Sequence, residues 1–450
     1  MSGDETKPRI GIISLGCANN LIDSEKILGV LGSAGFTICS EPEDAAVVIV
    51  NTCAFIGPAR CESREAVEYA LSLKRSGAIA RVIVAGCMAQ RYREKVLSDM
   101  PGVDMVLGIH DFESFPDLIS SLFEGTPSKG ETGASTFSLS PSVCADTGRM
   151  RITPRHYTYL RISEGCNNRC NYCVIPDIRG PLRSKPFDAV IGEAEELAAD
   201  GAKEIIIVAQ DTTSYGGELY ETRRLPSLLR RIAAVDEVRW IRILYTHPAH
   251  YCDEFVEVFS DTPKLLPYLD MPVQHASDRI LEKMGRGVKR RDLETLIKKL
   301  RGGIDDLVLR TSIIVGFPGE TDRDVDELLD FLRTVRFDRL GAFPYSKERG
   351  TKAAGFSGHV SAEEKQERLD RVMMVQREIS EEKNRLLIDK EVEAVIDSIS
   401  GRYAAGRSFR EAPEVDGVLH VKCDRKVAPG DFLKVRITDA GPYDLKAITV

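Results

Sequence analysis

The 450-residue chain reads as an α/β protein built in three units: a Rossmann-like α/β domain, a partial or full (β/α) barrel, and a small all-β barrel of OB-like size. Three observations lead there. Short apolar runs alternate with amphipathic helix patterns through the N-terminal third. The same alternation resumes from about Thr158. From about Lys390 the pattern changes to short alternating strands separated by turn signals.

In the first unit the predicted strands are residues 9–15 (RIGIISL), 46–51 (AVVIVN) and 81–85 (RVIVA). Predicted helices cover 23–33, 62–74 and 92–98. Such a βαβα series predicts a parallel sheet, because each strand returns through a helix. Residues 125–147 are rich in Gly, Ser, Thr and Pro with little periodicity, which predicts a linker. The second unit has predicted strands at 159–163, 204–209, 240–246, 268–273, 308–315 and 340–345, with helices between them and a charged helical run over 362–387. Six strands in one βα series suggest the barrel. The third unit carries VEAVIDSI, GVLHVK, DFLKVRIT and DLKAITV, expected to close as a small antiparallel barrel. The expected divisions are 8–124, a linker over 125–151, 152–383 and 384–450.

Hydrophobic residues make up 43% and charged residues 29% of the chain, an ordinary globular balance that lets each unit bury a core. The formal net charge of −8 excludes a chain-wide electrostatic trap for nucleic acid, so stable DNA binding is not expected. The N-terminus lacks the apolar core of a signal peptide, and no stretch approaches a membrane span. A cytoplasmic protein with no membrane partner is expected. From Asn384 onward acidic and basic residues are equal in number. A neutral barrel suits docking on a basic protein at least as well as binding RNA, where phosphate contacts favour a basic excess.

The chain has eleven cysteines. In a reducing compartment a cysteine cluster points to metal or redox chemistry. Cys166, Cys170 and Cys173 stand in a C-x3-C-x2-C triplet just after a predicted strand. Three thiolates at that spacing can wrap one face of a 4Fe–4S cluster and leave one iron without a protein ligand. That iron can chelate the amino and carboxylate groups of S-adenosylmethionine, and one electron then splits the sulfonium to a 5′-deoxyadenosyl radical. A zinc site is the competing reading, but zinc usually takes four ligands in paired spacings, and no fourth lies nearby. Cys17, Cys53 and Cys87 each lie just beyond one of the first three strands, in SLGC, NTC and AGC. In a parallel sheet those positions share the carboxyl edge, where ligands bind, so the three can converge on a second cluster. The alternative is three buried structural thiols. Cys39, Cys61, Cys144, Cys252 and Cys423 show no spacing pattern and are given no functional role, with Cys144 in the linker expected at the surface.

Taken with SLGCANNLIDSE, NTCAF and AGCMAQRY, the triplet makes the chain resemble the radical S-adenosylmethionine methylthiotransferases over almost its whole length. The resemblance implies an N-terminal domain holding an auxiliary 4Fe–4S cluster on Cys17, Cys53 and Cys87. It implies a radical S-adenosylmethionine partial barrel with a second 4Fe–4S cluster on Cys166, Cys170 and Cys173, and a C-terminal TRAM barrel. ISEGCNNRCNYCVIPDIRGPLRSK, AQDTTSYG and YLDMPVQHASDRIL resemble the branch acting on an aspartate of small-subunit ribosomal protein S twelve, rather than the branch acting on a tRNA adenosine. Implied with it are S-adenosylmethionine as methyl donor and radical source, a sulfur donor, a reductant such as flavodoxin or ferredoxin, and that ribosomal protein or the small subunit as partner. Carried over by match, Tyr172 lies near the adenine, and Gln210 with Asp211 lies at the methionine amino group. Gln274 faces the same mouth. Gly316, with Gly319 in IVGFPGE, lets backbone approach the cofactor. His275 is read as a satisfied structural histidine. Arg179, Arg183 and Lys185 form a short basic segment, either meeting an acidic substrate or lying on a solvated face.

Overall fold

The computed structural model describes residues 7–110, 112–124, 137 and 145–450. The first part of the predicted linker, and Cys144 with it, lie outside the described residues.

The N-terminal sheet is parallel, with β1 (Ile10–Ser14), β2 (Val47–Thr52), β3 (Arg81–Gly86) and β4 (Met105–Val106) side by side in that order. The chain also touches the free edge of β1 through a parallel bridge between Ile38 and Ile10. It therefore visits one side of β1 and then crosses to the other to form β2. That makes a doubly wound sheet whose switch point lies beside β1. Helices cover both faces. Ile27 and Leu31 of helix Ala18–Ser33 and Phe115 of helix Phe115–Glu124 pack on Val47 and Ile49, while Val67 and Leu71 of helix Gly57–Arg75 pack on Val48 and Val50. The two-residue alternation of β2 thus feeds two cores, which is why its apolar run is unbroken.

The second unit begins with β5 (Tyr157–Arg161) and a short antiparallel ribbon of β6 (Ser163–Glu164) and β7 (Arg183–Ser184). β5 then heads a six-stranded sheet with β8 (Glu204–Val208), β9 (Trp240–Ile243), β10 (Leu265–Asp270), β11 (Val308–Val315) and β12 (Arg339–Pro344). Every neighbour pair is parallel and in chain order. The sheet stays open between β5 and β12, so it is a partial barrel, and all its carboxyl ends face one mouth.

β13 (Glu391–Ser400), β14 (Tyr403–Ser408), β15 (Leu419–Lys422), β16 (Phe432–Ala440) and β17 (Leu445–Thr449) close a barrel in the order β13-β14-β15-β17-β16. It is not wholly antiparallel as expected: β15 and β17 pair in parallel, because β16 intervenes in sequence but sits on the far side of β17. Cys423 is buried in its core. The barrel is keyed to the second unit by Glu204 at the start of β8, which accepts from Arg242 Nε at 2.8 Å and Arg407 at 2.6 Å. No helix of the described residues is long and apolar enough to cross a membrane.

Charged side chains lock the first unit to the second. Arg161, at the end of β5, donates to both oxygens of Asp146 at 3.0 Å and to Asp23 at 2.6 Å. Arg179 donates to Asp23 at 2.7 Å and to Glu164 at 3.0 Å. Lys185 bridges Asp146 and Glu193 at 2.8 and 2.7 Å. The basic segment is therefore neither a solvated face nor a substrate contact at Arg179 and Lys185, whose side chains are each 2% exposed. Charges taken out of water need partners, and the first unit and its neighbouring loop supply them. Arg183 is half-buried and reaches the carbonyls of Pro181 and Arg179. A second clamp lies past β12, where Glu348 pairs with Arg60 and, at 2.8 Å, with Arg91.

Asp23→Ala would deprive both Arg161 and Arg179 of a buried carboxylate. The expected loss, read from equilibrium urea unfolding, is about 3–5 kcal/mol. A loss within the range of a surface substitution would show that the pairs do not hold the junction.

Candidate active site

The first thiol trio sits on the carboxyl edge of the N-terminal sheet. Cys17 precedes helix Ala18–Ser33 after β1, Cys53 follows β2 and Cys87 opens helix Cys87–Tyr92 after β3. Gly86 sets the last of these. Its φ is +89°, and a Cβ there would stand 2.2 Å from Asn51 Oδ1, so only glycine lets the chain turn into Cys87. Asn20 ties the group together. Its Nδ2 donates to the carbonyls of Leu15 at 2.8 Å and Thr52 at 3.0 Å, and its Oδ1 accepts from Cys87 Sγ at 3.4 Å. Cys53 and Cys87 are buried, whereas Cys17 is exposed, so the trio is open on one side. Burial pushes the Cys87 thiol up to about 12, with the Arg179 guanidinium, 3.6 Å from its sulfur, working against that. The Cys53 thiol is raised for the same reason.

The second trio lies on the loop between β6 and β7. Main-chain N–H groups point at its sulfurs: Asn168 donates to Cys166 and Ile175 to Cys173, each at 3.4 Å. Arg286 donates to Cys170 Sγ and to Tyr172 Oη, both at 3.5 Å, and to the Pro272 carbonyl at 2.6 Å. Burial pushes the Cys166 thiol to about 11 and the Cys173 thiol to about 12. Both donor sets are three soft thiols, which suits iron–sulfur ligation.

The remaining predicted residues surround the same mouth. Tyr172 packs with Ile280, Met284 and Phe317 beside Arg286. Gln210 follows β8 and donates to Glu164 at 3.1 Å, while its Oε1 is buried and unpartnered. Gln274 lies beyond β10 with φ +71°, held by a bridge to Ile313. Gly316 ends β11 with φ +70°, but the space over its Cα belongs to Lys365, whose Cγ would be 2.2 Å from a Cβ. The glycine there makes room for a lysine stem. His275 is fully buried and accepts from the Ser277 N–H at 2.9 Å.

Asp211 is the centre of a polar cluster that the cysteine motifs do not announce. It accepts from Asn168 at 2.8 Å, Thr213 at 2.6 Å, Ser214 at 2.7 Å and His250 at 2.7 Å. Burial raises its carboxyl, but these donors and the His250 charge outweigh that and hold it well below the usual carboxylate range. His247 stacks on His250 with ring centres 4.6 Å apart. Arg286, His247 and His250 were not singled out from sequence. Their only signal is two histidines just after a predicted strand and an arginine just after helix Asp278–Met284.

Three families match the chain in order: the uncharacterized protein family UPF0004 over residues 9–108, the Radical SAM superfamily over 160–332 and the TRAM domain over 388–450. The chain is 41% identical over 440 residues to the ribosomal protein uS12 methylthiotransferase RimO of Caldicellulosiruptor saccharolyticus, covering 97% of this chain and 98% of that one. It is 43% identical to the protein of the same name from Desulforudis audaxviator, covering 98% and 96%. Among solved structures it resembles the radical S-adenosylmethionine methyltransferase TsrM of Kitasatospora setae, with a TM-score of 0.53 at 15% identity over 75% of this chain and 73% of that one. It also resembles the cobalamin-dependent radical enzyme OxsB, with a TM-score of 0.51 at 14% identity over 82% and 56%. Those two likenesses establish the fold.

The raised thiols give a direct expectation. In ligand-free protein at pH 8, well below about 11–12, Cys87, Cys166 and Cys173 stay protonated. Alkylation by iodoacetamide, followed by peptide mass spectrometry, should label exposed Cys17 and Cys61 well before Cys87 and Cys173. Early labelling of Cys87 would contradict the burial described.

Proposed function

The chain belongs to the radical S-adenosylmethionine methylthiotransferases, and from that premise we propose that it attaches a methylthio group to the β-carbon of an aspartate in ribosomal protein uS12. The observation that carries the substrate is the end-to-end likeness, at about 40% identity, to relatives named for that reaction. Membership of the Radical SAM superfamily implies S-adenosylmethionine and a 4Fe–4S cluster.

In this reading Cys166, Cys170 and Cys173 hold the cluster that binds S-adenosylmethionine, and Cys17, Cys53 and Cys87 hold an auxiliary cluster. When bound, such clusters would supply the electron that cleaves S-adenosylmethionine and a place to hold the sulfur to be transferred. A sulfur donor and a low-potential reductant of the flavodoxin or ferredoxin type are required. The aspartate β-carbon has no readily removed acidic proton, so hydrogen-atom abstraction suits it better than a side-chain base. The protein's part is to bind and orient. Gln210 Oε1, buried and without a donor, suits a methionine ammonium. Tyr172 presents an apolar ring for the adenine. Gln274 and Gly316 shape the mouth beyond β10 and β11. Arg286 sets positive charge against Cys170. The open side of the first trio, at Cys17, leaves room for a transferable sulfur.

The test uses anaerobically reconstituted full-length enzyme with S-adenosylmethionine, sulfide and reductant, offered uS12 and tRNA separately, with adducts read by mass spectrometry. An aspartate methylthio adduct on uS12 is expected. Cys170→Ala should abolish 5′-deoxyadenosine formation, while Cys87→Ala should retain it and give no adduct. An adduct on a tRNA adenosine alone would overturn the substrate.

Arg286 is a fixed positive charge hydrogen-bonded to a thiol of the second trio. Arg286→Gln should lower the midpoint potential of that cluster by on the order of 100 mV, since an added electron loses a nearby cation. Redox titration followed by electron paramagnetic resonance measures it, and an unshifted potential would show that the charge is screened.

A further inference from the structure

Two side chains at the barrel mouth carry hydrogen-bond donors with nothing to receive them. His247 is 7% exposed. Its Nδ1 accepts the Ala249 N–H at 3.2 Å, so the neutral ring carries its proton on Nε2. That Nε2 is buried and has no partner. Arg286 is 5% exposed, and its three hydrogen bonds go to a thiol, a phenol and a backbone carbonyl, none of them to a carboxylate. Its Nε is likewise buried and unpartnered. Buried donors are normally satisfied by an acceptor. Unsatisfied donors on two adjoining segments leave a place for one.

They are neighbours by construction. The Thr246 N–H donates to the Asp270 carbonyl at 2.9 Å, which lays the segment after β9 against the segment after β10. Arg286 donates to Pro272 in that second segment at 2.6 Å. Of the charged groups around His247, Arg286 acts on it most strongly. With burial it pushes the imidazole down to about 3, so His247 is neutral and remains a donor. Asp211 does not compete for that proton, because four other donors already saturate it. Nor do Asp211, His247 and His250 make a cation site, since with Nδ1 accepting and Nε2 protonated His247 offers no free lone pair to an ion.

One neutral and one cationic donor, beside the loop of Cys166 to Cys173, suit a carboxylate. On the function proposed above, a cluster iron without a protein ligand would take the methionine carboxylate. The carboxylate left without partners is that of the substrate, one bond from the carbon to be functionalised. We propose that His247 Nε2–H and Arg286 Nε–H form the subsite that binds the side-chain carboxylate of the substrate aspartate. Holding that group fixes the β-carbon in front of the radical source, and excludes residues lacking an acceptor there.

The proposal rests on uS12 being the substrate. The experiment is a double-mutant cycle with anaerobically reconstituted full-length enzyme and S-adenosylmethionine. Binding of labelled uS12, and of uS12 with the modified aspartate replaced by alanine, is measured against the native protein and against His247→Ala and His247→Gln. His247→Ala should weaken binding of native uS12 by about 10- to 100-fold, and should not further weaken binding of the alanine form. His247→Gln, which keeps an N–H donor, should recover part of the loss. S-adenosylmethionine affinity, measured separately, should stay within about twofold. Equal weakening of both uS12 forms, no weakening of either, or a parallel loss of S-adenosylmethionine affinity would each overturn the subsite. Failure of the native enzyme to modify uS12 at all would instead overturn the function it rests on, and the subsite with it.

Discussion

Arg179 is the residue on which the geometry of the mouth depends. Its guanidinium lies between Asp23 of the first unit and Glu164 of the second, and also reaches Asn20 Oδ1 at 3.1 Å and Cys87 Sγ at 3.6 Å. A planar fork with fixed donors can hold that many acceptors only in one arrangement. Asn20 and Asp23 both lie on the helix that starts next to Cys17. One side chain from the second unit therefore places two of the first trio's positions relative to the loop of the second trio. Buried ion pairs add little net stability when weighed against desolvation. Their contribution here is position: apolar packing alone tolerates sliding, and a network of directed bonds does not.

The two clamps explain why an open sheet suffices. The six-stranded sheet has unpaired edges at β5 and β12. The first unit grips near both, through Arg161 and Arg179 beside β5 and through Glu348 beyond β12. Arg91 extends the second grip, donating to the Ala54 carbonyl next to Cys53 as well as to Glu348, each at 2.8 Å. The first unit thus stands where further strands would close a full barrel, and brings its carboxyl edge with it. Both thiol trios then lie on the carboxyl sides of their sheets, joined through Arg179.

Much of this was legible in the sequence, and the exceptions share a cause. The strands of the parallel sheets announce themselves because burial on two faces demands unbroken apolar runs, as in AVVIVN. The thiol positions were legible because they repeat at strand ends. β4, only two residues long, and the bridge at Ile38 carry no such run. The ion pairs were illegible because Arg179 and Lys185 meet partners far away in sequence, and a charge beside a loop looks the same whether water or a carboxylate faces it. One hint was available. Asn20, Asp23 and Ser24 sit at i, i+3 and i+4, one helix face, and all three are buried. A polar stripe at core spacing marks a face that meets other polar groups. The C-terminal barrel was legible as strands but not in pairing, since the parallel β15–β17 contact depends on closure and leaves no local pattern.

Left-handed turns recur at the strand ends that form the mouth. Tyr245, beyond β9, has φ +60° and Gln274, beyond β10, has φ +71°, with Gly316 at +70° closing β11. Successive strand ends thus turn in the left-handed region, which costs a non-glycine residue about 1–3 kcal/mol. Each turn is held by its surroundings. The Tyr245 N–H donates to Asp270 Oδ2 at 3.1 Å. Gln274 donates to the Ser312 carbonyl at 2.9 Å and accepts from the Ile314 N–H at 2.8 Å. Only Gly316 is also crowded, by Lys365, so only there is glycine required. Tyr245 keeps its side chain because the ring has an apolar seat. The Tyr245 ring packs against the apolar cluster that includes Ala18, Ile22 and Leu244, beside the helix that Cys17 precedes. A glycine would relax the turn at Tyr245 but leave that apolar seat empty, which is why the strained side chain is kept.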